Sequence, residues 1–303
     1  MQERIIPYLL IIGAAFCWGI SGVFTKAITL YGYASMEMVF LKTLVGLIGL
    51  TIIGISKKGS IFKLERLSDL LNLAGMSILG YCLYSLGYIV TVNEMGAGIA
   101  AAMLYTKCVF VMIFSRVIFG KRITFLKLIV MGLTVLGCAS ISGVFSQTGN
   151  YITAKGVCWG ILSGIGFALY DVLGKKSLDK YESETVTFYT FLIATIVVGL
   201  IAKPNVALGR MIETDTVILI LSYGMMIAVL PYLLYVRGLS KIDVSVAAVI
   251  STFELLTAVL AETILYDEPL TIFKIMGVAA ILGAVCLLNL SDGRDKGTSG
   301  REG

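Results

Sequence analysis

Apolar residues dominate this chain in ten long stretches, each closed by a charged or glycine-rich break. They run over 5–28, 34–55, 69–91, 97–119, 127–145, 155–174, 184–202, 215–236, 244–266 and 272–290. About 20 apolar residues cross a bilayer as a helix, so the pattern predicts an all-α membrane protein with ten transmembrane helices. Tyrosines and serines dilute the third and eighth stretches. The apolar run that follows Met1–Arg4 is too long for a signal peptide and lacks a small-residue cleavage site, so it is read as a retained first helix.

Composition agrees with this picture. Hydrophobic residues make up 58% of the 303 and charged residues 14%, with a mean hydropathy of +0.94. Soluble domains carry roughly a quarter charged residues. The 33 glycines fit close packing of membrane helices. Six cysteines (Cys17, Cys82, Cys108, Cys138, Cys158 and Cys286) lie in apolar stretches without a CxxC pair, and there is no histidine. Neither a disulfide nor a metal site is expected, no cofactor is implied, and any proton chemistry falls to carboxylates.

Charge placement supplies an orientation. With the N-terminus inside, sixteen of the 24 Lys and Arg fall on the inner side, including Lys57, Lys121, Lys175 and Arg237. Four fall outside (Lys155, Lys203, Arg210 and Lys274) and four within spans (Lys26, Lys42, Lys107 and Arg116). That bias places both termini in the cytoplasm. The net charge of +5 follows the membrane rather than a patch, which argues against nucleic-acid binding. Short loops and the lack of a targeting segment fit a bacterial inner membrane.

The two halves resemble each other. An ungapped match of 88–127 with 235–274 pairs Tyr88 with Tyr235, Ala100-Ala101 with Ala247-Ala248, Thr124 with Thr271 and Lys127 with Lys274. GVFTK at 22–26 and DVLGK at 171–175 end spans one and six alike. Residues 1–146 and 147–290 are therefore expected to be two five-helix repeats, with 291–303 a disordered cytoplasmic tail. Five is odd, so the second repeat enters the membrane inverted, a transporter architecture with its site near the midplane.

Lys107 and Glu254 stand mid-span in helices four and nine, opposite each other in the repeat match. Charge in hydrocarbon costs several kcal/mol by most estimates, which marks both as candidates for substrate binding. Together they would hold the two ends of a zwitterion, or merely neutralise one another, and Glu254 is the candidate proton carrier. Tyr81, Tyr84 and Tyr88 form a stripe on span three, and Tyr232 and Tyr235 a pair on span eight beside Pro231. With Trp18 and Tyr105 they are candidate walls, since buried tyrosine hydroxyls need polar partners. Asp171 lies near Lys175 and Lys176, as an i,i+4 ion pair or a gate. Glu37 and Glu262 are assigned to an interface or gate, and Lys42 to a structural pair.

Several of these residues also carry a family resemblance. Trp18-Gly19 followed by Lys26, the run Ala97–Ala102, its counterpart Val244–Ala248 and the turn Tyr266-Asp267-Glu268-Pro269-Leu270 resemble the drug/metabolite transporter superfamily, in its ten-helix branch with two EamA-type repeats. The resemblance implies secondary transport of small organic solutes, often by export, through a cavity lined by spans one, three, four, six, eight and nine. Members often have a proline midway in spans four and nine, where this chain has Cys108 and Leu255, and an Arg in span two, where it has Lys42. The resemblance therefore does not carry those prolines' bends over to this chain. The expected function is secondary active transport of an amino acid or related zwitterionic or amphipathic metabolite, by export or exchange, as a monomer or homodimer. A multidrug or nucleotide-sugar-type transporter is the alternative within the same resemblance. A membrane enzyme is disfavoured because no HExxH or GxSxG is present, and a channel subunit because one Lys/Glu site is not a ring.

Overall fold

The computed structural model describes residues 2–95, 97–121, 123–141, 152–266 and 270–298. All regular elements among these residues are helical. The first half comprises α1 (Gln2–Gly19), α2 (Ser21–Thr29), α3 (Ser35–Ser56), α4 (Asp69–Gly75), α5 (Leu83–Met95), α6 (Ala97–Leu104), α7 (Lys107–Phe119) and α8 (Phe125–Ile141). The second comprises α9 (Ala154–Ser177), α10 (Ser183–Gly199), α11 (Pro204–Glu213), α12 (Val217–Gly224), α13 (Leu230–Lys241), α14 (Val244–Ser251), α15 (Phe253–Tyr266) and α16 (Ile272–Thr298).

Helices stand at all ten predicted places. Seven segments are long and apolar enough to cross a membrane: Ile5–Thr29, Ser35–Ser56, Asp69–Met95, Ile99–Phe119, Ala154–Ser177, Val217–Lys241 and Val244–Leu265. The pair α10 and α11, bent by 96°, supplies an eighth. The fifth and tenth places hold shorter apolar helices, Phe125–Ile141 and Ile272–Val285. A count of ten crossings rests on those two. Leu9, Ile52, Val117, Leu136 and Ile218 point outward, as residues facing lipid do. The boundary expected at 146/147 and the turn residues Asp267, Glu268 and Pro269 lie outside the described residues. Helix α16 continues eight residues past the expected end at Leu290, over the first part of the segment expected to be a tail.

The halves pack as inverted copies. Helix α1 packs on α13 and α15 as α9 packs on α5 and α7, while α3 meets α10 and α8 meets α16 across the repeat axis. Irregularities repeat as well. A π-helical turn at Met76–Cys82 interrupts span three, and one at Met225–Val229 interrupts span eight. Span four breaks between Leu104 and Lys107, and span nine at Thr252. These breaks occur without proline. The Thr106 hydroxyl donates to the Met103 carbonyl at 2.6 Å, and the Thr252 hydroxyl to that of Val249 at 2.6 Å. Side-chain competition for backbone acceptors bends helices, so threonine stands in for the missing prolines.

Glycine permits close backbone approach between the halves. A Cβ on Gly137 would lie 2.9 Å from the Gly277 carbonyl oxygen, and one on Gly277 would lie 2.6 Å from that of Gly137. No larger residue fits either position without moving backbone.

Candidate functional site

A cavity of about 760 Å³ opens where the halves meet. Breaks in the helices place its polar side chains. Trp18 closes α1 just before the break at Ile20, Tyr105 sits in the break of span four, and Glu254 lies in the first turn of α15, after the break at Thr252. Gly19 brings span one against span nine, because a Cβ there would stand 2.7 Å from the Glu254 carbonyl oxygen. The Glu254 carboxylate is thereby held at a helix N-terminus, where the backbone dipole favours negative charge.

Lys42, on α3, faces the same cavity. Lys42 and Glu254 interact electrostatically, and the Lys42 ammonium stands 5.8 Å from the Tyr81 ring centroid. Both charged side chains are half-buried. Tyr84, Tyr88, Tyr223 and Tyr232 add aromatic wall, and Ser85 and Thr25 add hydroxyls.

Aromatic rings form the cavity floor. Tyr84 stacks on Phe167 with centroids 4.8 Å apart, Trp18 meets Tyr232 edge-on at 5.2 Å, and the Tyr84 and Tyr232 hydroxyls share a hydrogen bond. Beneath the floor, Lys107 and Asp171 approach to 3.6 Å, and both are fully buried. Tyr235 donates to Asp171 Oδ1 at 2.7 Å, while Lys107 Nζ stands 3.4 Å from the Phe167 ring centroid.

The expected site residues therefore separate into groups. Trp18, Tyr84, Tyr88, Tyr105, Tyr232 and Glu254 line the cavity. Lys107, Tyr81 and Tyr235 do not, and the partner of Lys107 is Asp171 rather than Glu254. Asp171 makes no i,i+4 pair with Lys175, whose ammonium instead caps the carbonyls of Leu239, Ser240 and Ile242 at 2.7, 3.0 and 2.9 Å. Those carbonyls end α13 and enter α14, where a cation satisfies unpaired acceptors. Glu37 accepts the Ala34 backbone N–H at 2.9 Å and Arg210 at 3.0 Å, capping α3 and tying α11 to it. Glu262 falls on α15, and its side chain lies outside the described residues. Lys42, expected in a structural pair, interacts with Glu254 and faces the cavity. Lys26 and Lys274 also face the cavity.

The cavity lies toward one end of the bundle. Its wall includes Lys26, Ser35, Val92, Ala261 and Lys274, all near the helix ends on the Lys155 side. Ion pairs between the halves close the other end. Glu184 accepts from Lys57 at 2.8 Å, Asp69 pairs with Lys180 at 2.9 Å, and Lys121 stands 3.4 Å from Asp243, while Arg237 of the second half's own α13 holds Glu184 in place at 2.5 Å. Hydrogen bonding to Glu184 holds the Lys57 ammonium above its ordinary pKa. Among the described residues, no cluster of three His, Cys, Asp or Glu is arranged to hold a metal.

Comparisons with known proteins agree with this arrangement. The model of the EamA-like transporter family matches twice, at residues 5–143 and 154–290. A Bacillus subtilis protein described as "Uncharacterized transporter YvbV" is 24% identical over 291 residues, covering 93% of this chain and 90% of its own. An "Uncharacterized transporter" of Archaeoglobus fulgidus is 23% identical over 216 residues, covering 71% of this chain and 75% of its own. One solved structure, described as "Crystal structure of protein", superposes with a TM-score of 0.77 at 14% identity, covering 95% of this chain and 98% of that one, which shows a shared fold. The two family matches span both packed halves, and the chain belongs to the EamA-like transporter family.

Proposed function

We propose that this chain is a secondary active transporter of a small zwitterionic or amphipathic solute, such as an amino acid, working by alternating access in export or exchange. One observation carries the substrate class: an ammonium (Lys42) and a carboxylate (Glu254) face one aromatic-walled cavity. Its volume of about 760 Å³ suits a small organic molecule, since ligand pockets generally span roughly 300–1,000 Å³. A zwitterion satisfies both charges, and the tyrosine rings and hydroxyls take its amphipathic remainder. With the basic ends cytoplasmic, the cavity faces outward from a bacterial inner membrane, and Glu254 is the candidate proton carrier.

A thermal-shift screen of purified protein against a metabolite panel tests this assignment. A ligand that binds the folded state raises its apparent stability. Stabilisation by zwitterions that disappears in Lys42→Ala and Glu254→Gln is expected. Stabilisation by sugars or nucleotide sugars alone contradicts the assignment.

A further inference from the structure

Below the aromatic floor, Lys107, Asp171 and Tyr235 make a charged cluster that the open cavity does not reach. It is poorly satisfied for a purely structural pair. The two charges approach to 3.6 Å, and neither Lys107 Nζ nor Asp171 Oδ2 makes a hydrogen bond. A buried ion pair recovers its desolvation cost only when such bonds are complete. The repeat gives the cluster a counterpart. The match that pairs Tyr88 with Tyr235 also pairs Glu254 with Lys107, and Tyr88 and Glu254 both line the open cavity. The same offset relates the end of the π-helical turn at Cys82 to Val229, and the break at Tyr105 to Thr252.

We propose that Lys107, Asp171 and Tyr235 form a second solute-binding half-site, sealed in this state, which takes a solute bearing one cationic and one anionic group when the Lys57 face opens. This rests on the transporter function proposed above. Lys42 and Glu254 offer one positive and one negative group on the open side, and Lys107 and Asp171 offer the same on the closed side. Inverted halves that rock about the midplane exchange the environments of matched residues, so exposure of Lys107, with Asp171 at 3.6 Å beside it, accompanies sealing of Glu254 and the Lys42 that interacts with it. Phe167 lies between the two, as a wall of the cavity above and 3.4 Å from Lys107 Nζ below.

Lysine acylation of the full-length protein in membrane vesicles tests the proposal whatever the solute is. Sulfosuccinimidyl acetate, which does not cross membranes, is applied from each face, and modified peptides are mapped by mass spectrometry. Lys57 and Lys155 report which face was exposed. In the unmodified sequence, Lys42 is expected to react from the Lys155 face and Lys107 from neither. In Glu184→Gln, Lys107 reactivity from the Lys57 face is expected to rise about tenfold while that of Lys42 falls, the scale set by losing one charge-assisted contact that only this state has. Asp243→Asn keeps the N-cap of α14 and weakens the Lys121 contact, so it serves as a second opener if Glu184→Gln fails to fold.

If Lys42 reactivity falls while Lys107 stays silent, the half-site is wrong and alternating access stands. Reaction of Lys107 from the Lys155 face also overturns the half-site. If neither lysine responds in either folded variant, the two-state mechanism fails and takes the half-site with it. Because free amino acids consume reagent for every lysine alike, protection is read as a ratio: an equimolar mixture of the protein amino acids is expected to slow acylation of Lys42 relative to Lys155 in the parent, and of Lys107 relative to Lys57 in the opened variant. Protection of Lys42 alone overturns the half-site, and protection of neither overturns the zwitterionic substrate class.

Discussion

Removing one member of the Lys107–Asp171 pair strands a charge where no water reaches. At 3.6 Å the two groups attract by about 5 kcal/mol with an effective dielectric of about 20. Both are fully buried, so little of that is lost to solvent. Lys107→Met leaves the Asp171 carboxylate with Tyr235 as its hydrogen-bond donor, and Asp171→Asn leaves the ammonium against the Phe167 ring. Each single change is expected to cost about 3–5 kcal/mol, the usual range for half a buried pair. Lys107→Met with Asp171→Asn removes both charges together with their desolvation cost, and is expected to lie within about 1–2 kcal/mol of the parent. The assay is unfolding in detergent micelles followed by fluorescence of Trp18 and Trp159, analysed as a double-mutant cycle. Single changes that each cost under about 1 kcal/mol, or a double variant equal to the sum of the singles, would refute a dry, mutually compensating pair.

Three further outcomes follow from the packing. Trp18→Ala removes a ring with three aromatic neighbours within 5.2–6.5 Å and should lower stability by about 3–5 kcal/mol, read as earlier thermal unfolding. Gly277→Val forces apart a backbone contact and should prevent monodisperse elution from a size-exclusion column, whereas Gly22→Ala, with open space around its Cβ, should elute as the parent does. Arg210→Ala frees α11 from Glu37 and the Gly32 carbonyl, and limited proteolysis between α10 and α12 should accelerate.

Hydrophobic pattern alone located a helix at each of the ten expected places, seven of them long and apolar enough to cross a membrane, because lipid imposes a simple rule of length and polarity. It missed α11, a short amphipathic helix that begins at Pro204, since ten residues bent by 96° from α10 lack that signature. Breaks in spans four and nine were also hidden, because threonine hydroxyls produce them and threonine is common in unbroken helices. Glu254 and most of the aromatic wall were legible, since polar groups mid-span have few roles. Partners were not. Lys107 meets Asp171 because α7 packs on α9, a contact between segments distant in the chain that no local spacing encodes. The repeat match compared Lys107 with Glu254 as counterparts, and inverted counterparts occupy opposite halves of the bundle rather than one pocket.

Counterflow in proteoliposomes decides whether the cavity is a transport site. Vesicles loaded with the solute identified by thermal shift are diluted into labelled solute, and exchange is followed with time. Saturable exchange is expected in the parent. Lys42→Ala and Glu254→Gln should each weaken it about ten- to a hundredfold, the scale set by losing a hydrogen bond to a charged group. Exchange undiminished in both variants would contradict a substrate site between Lys42 and Glu254.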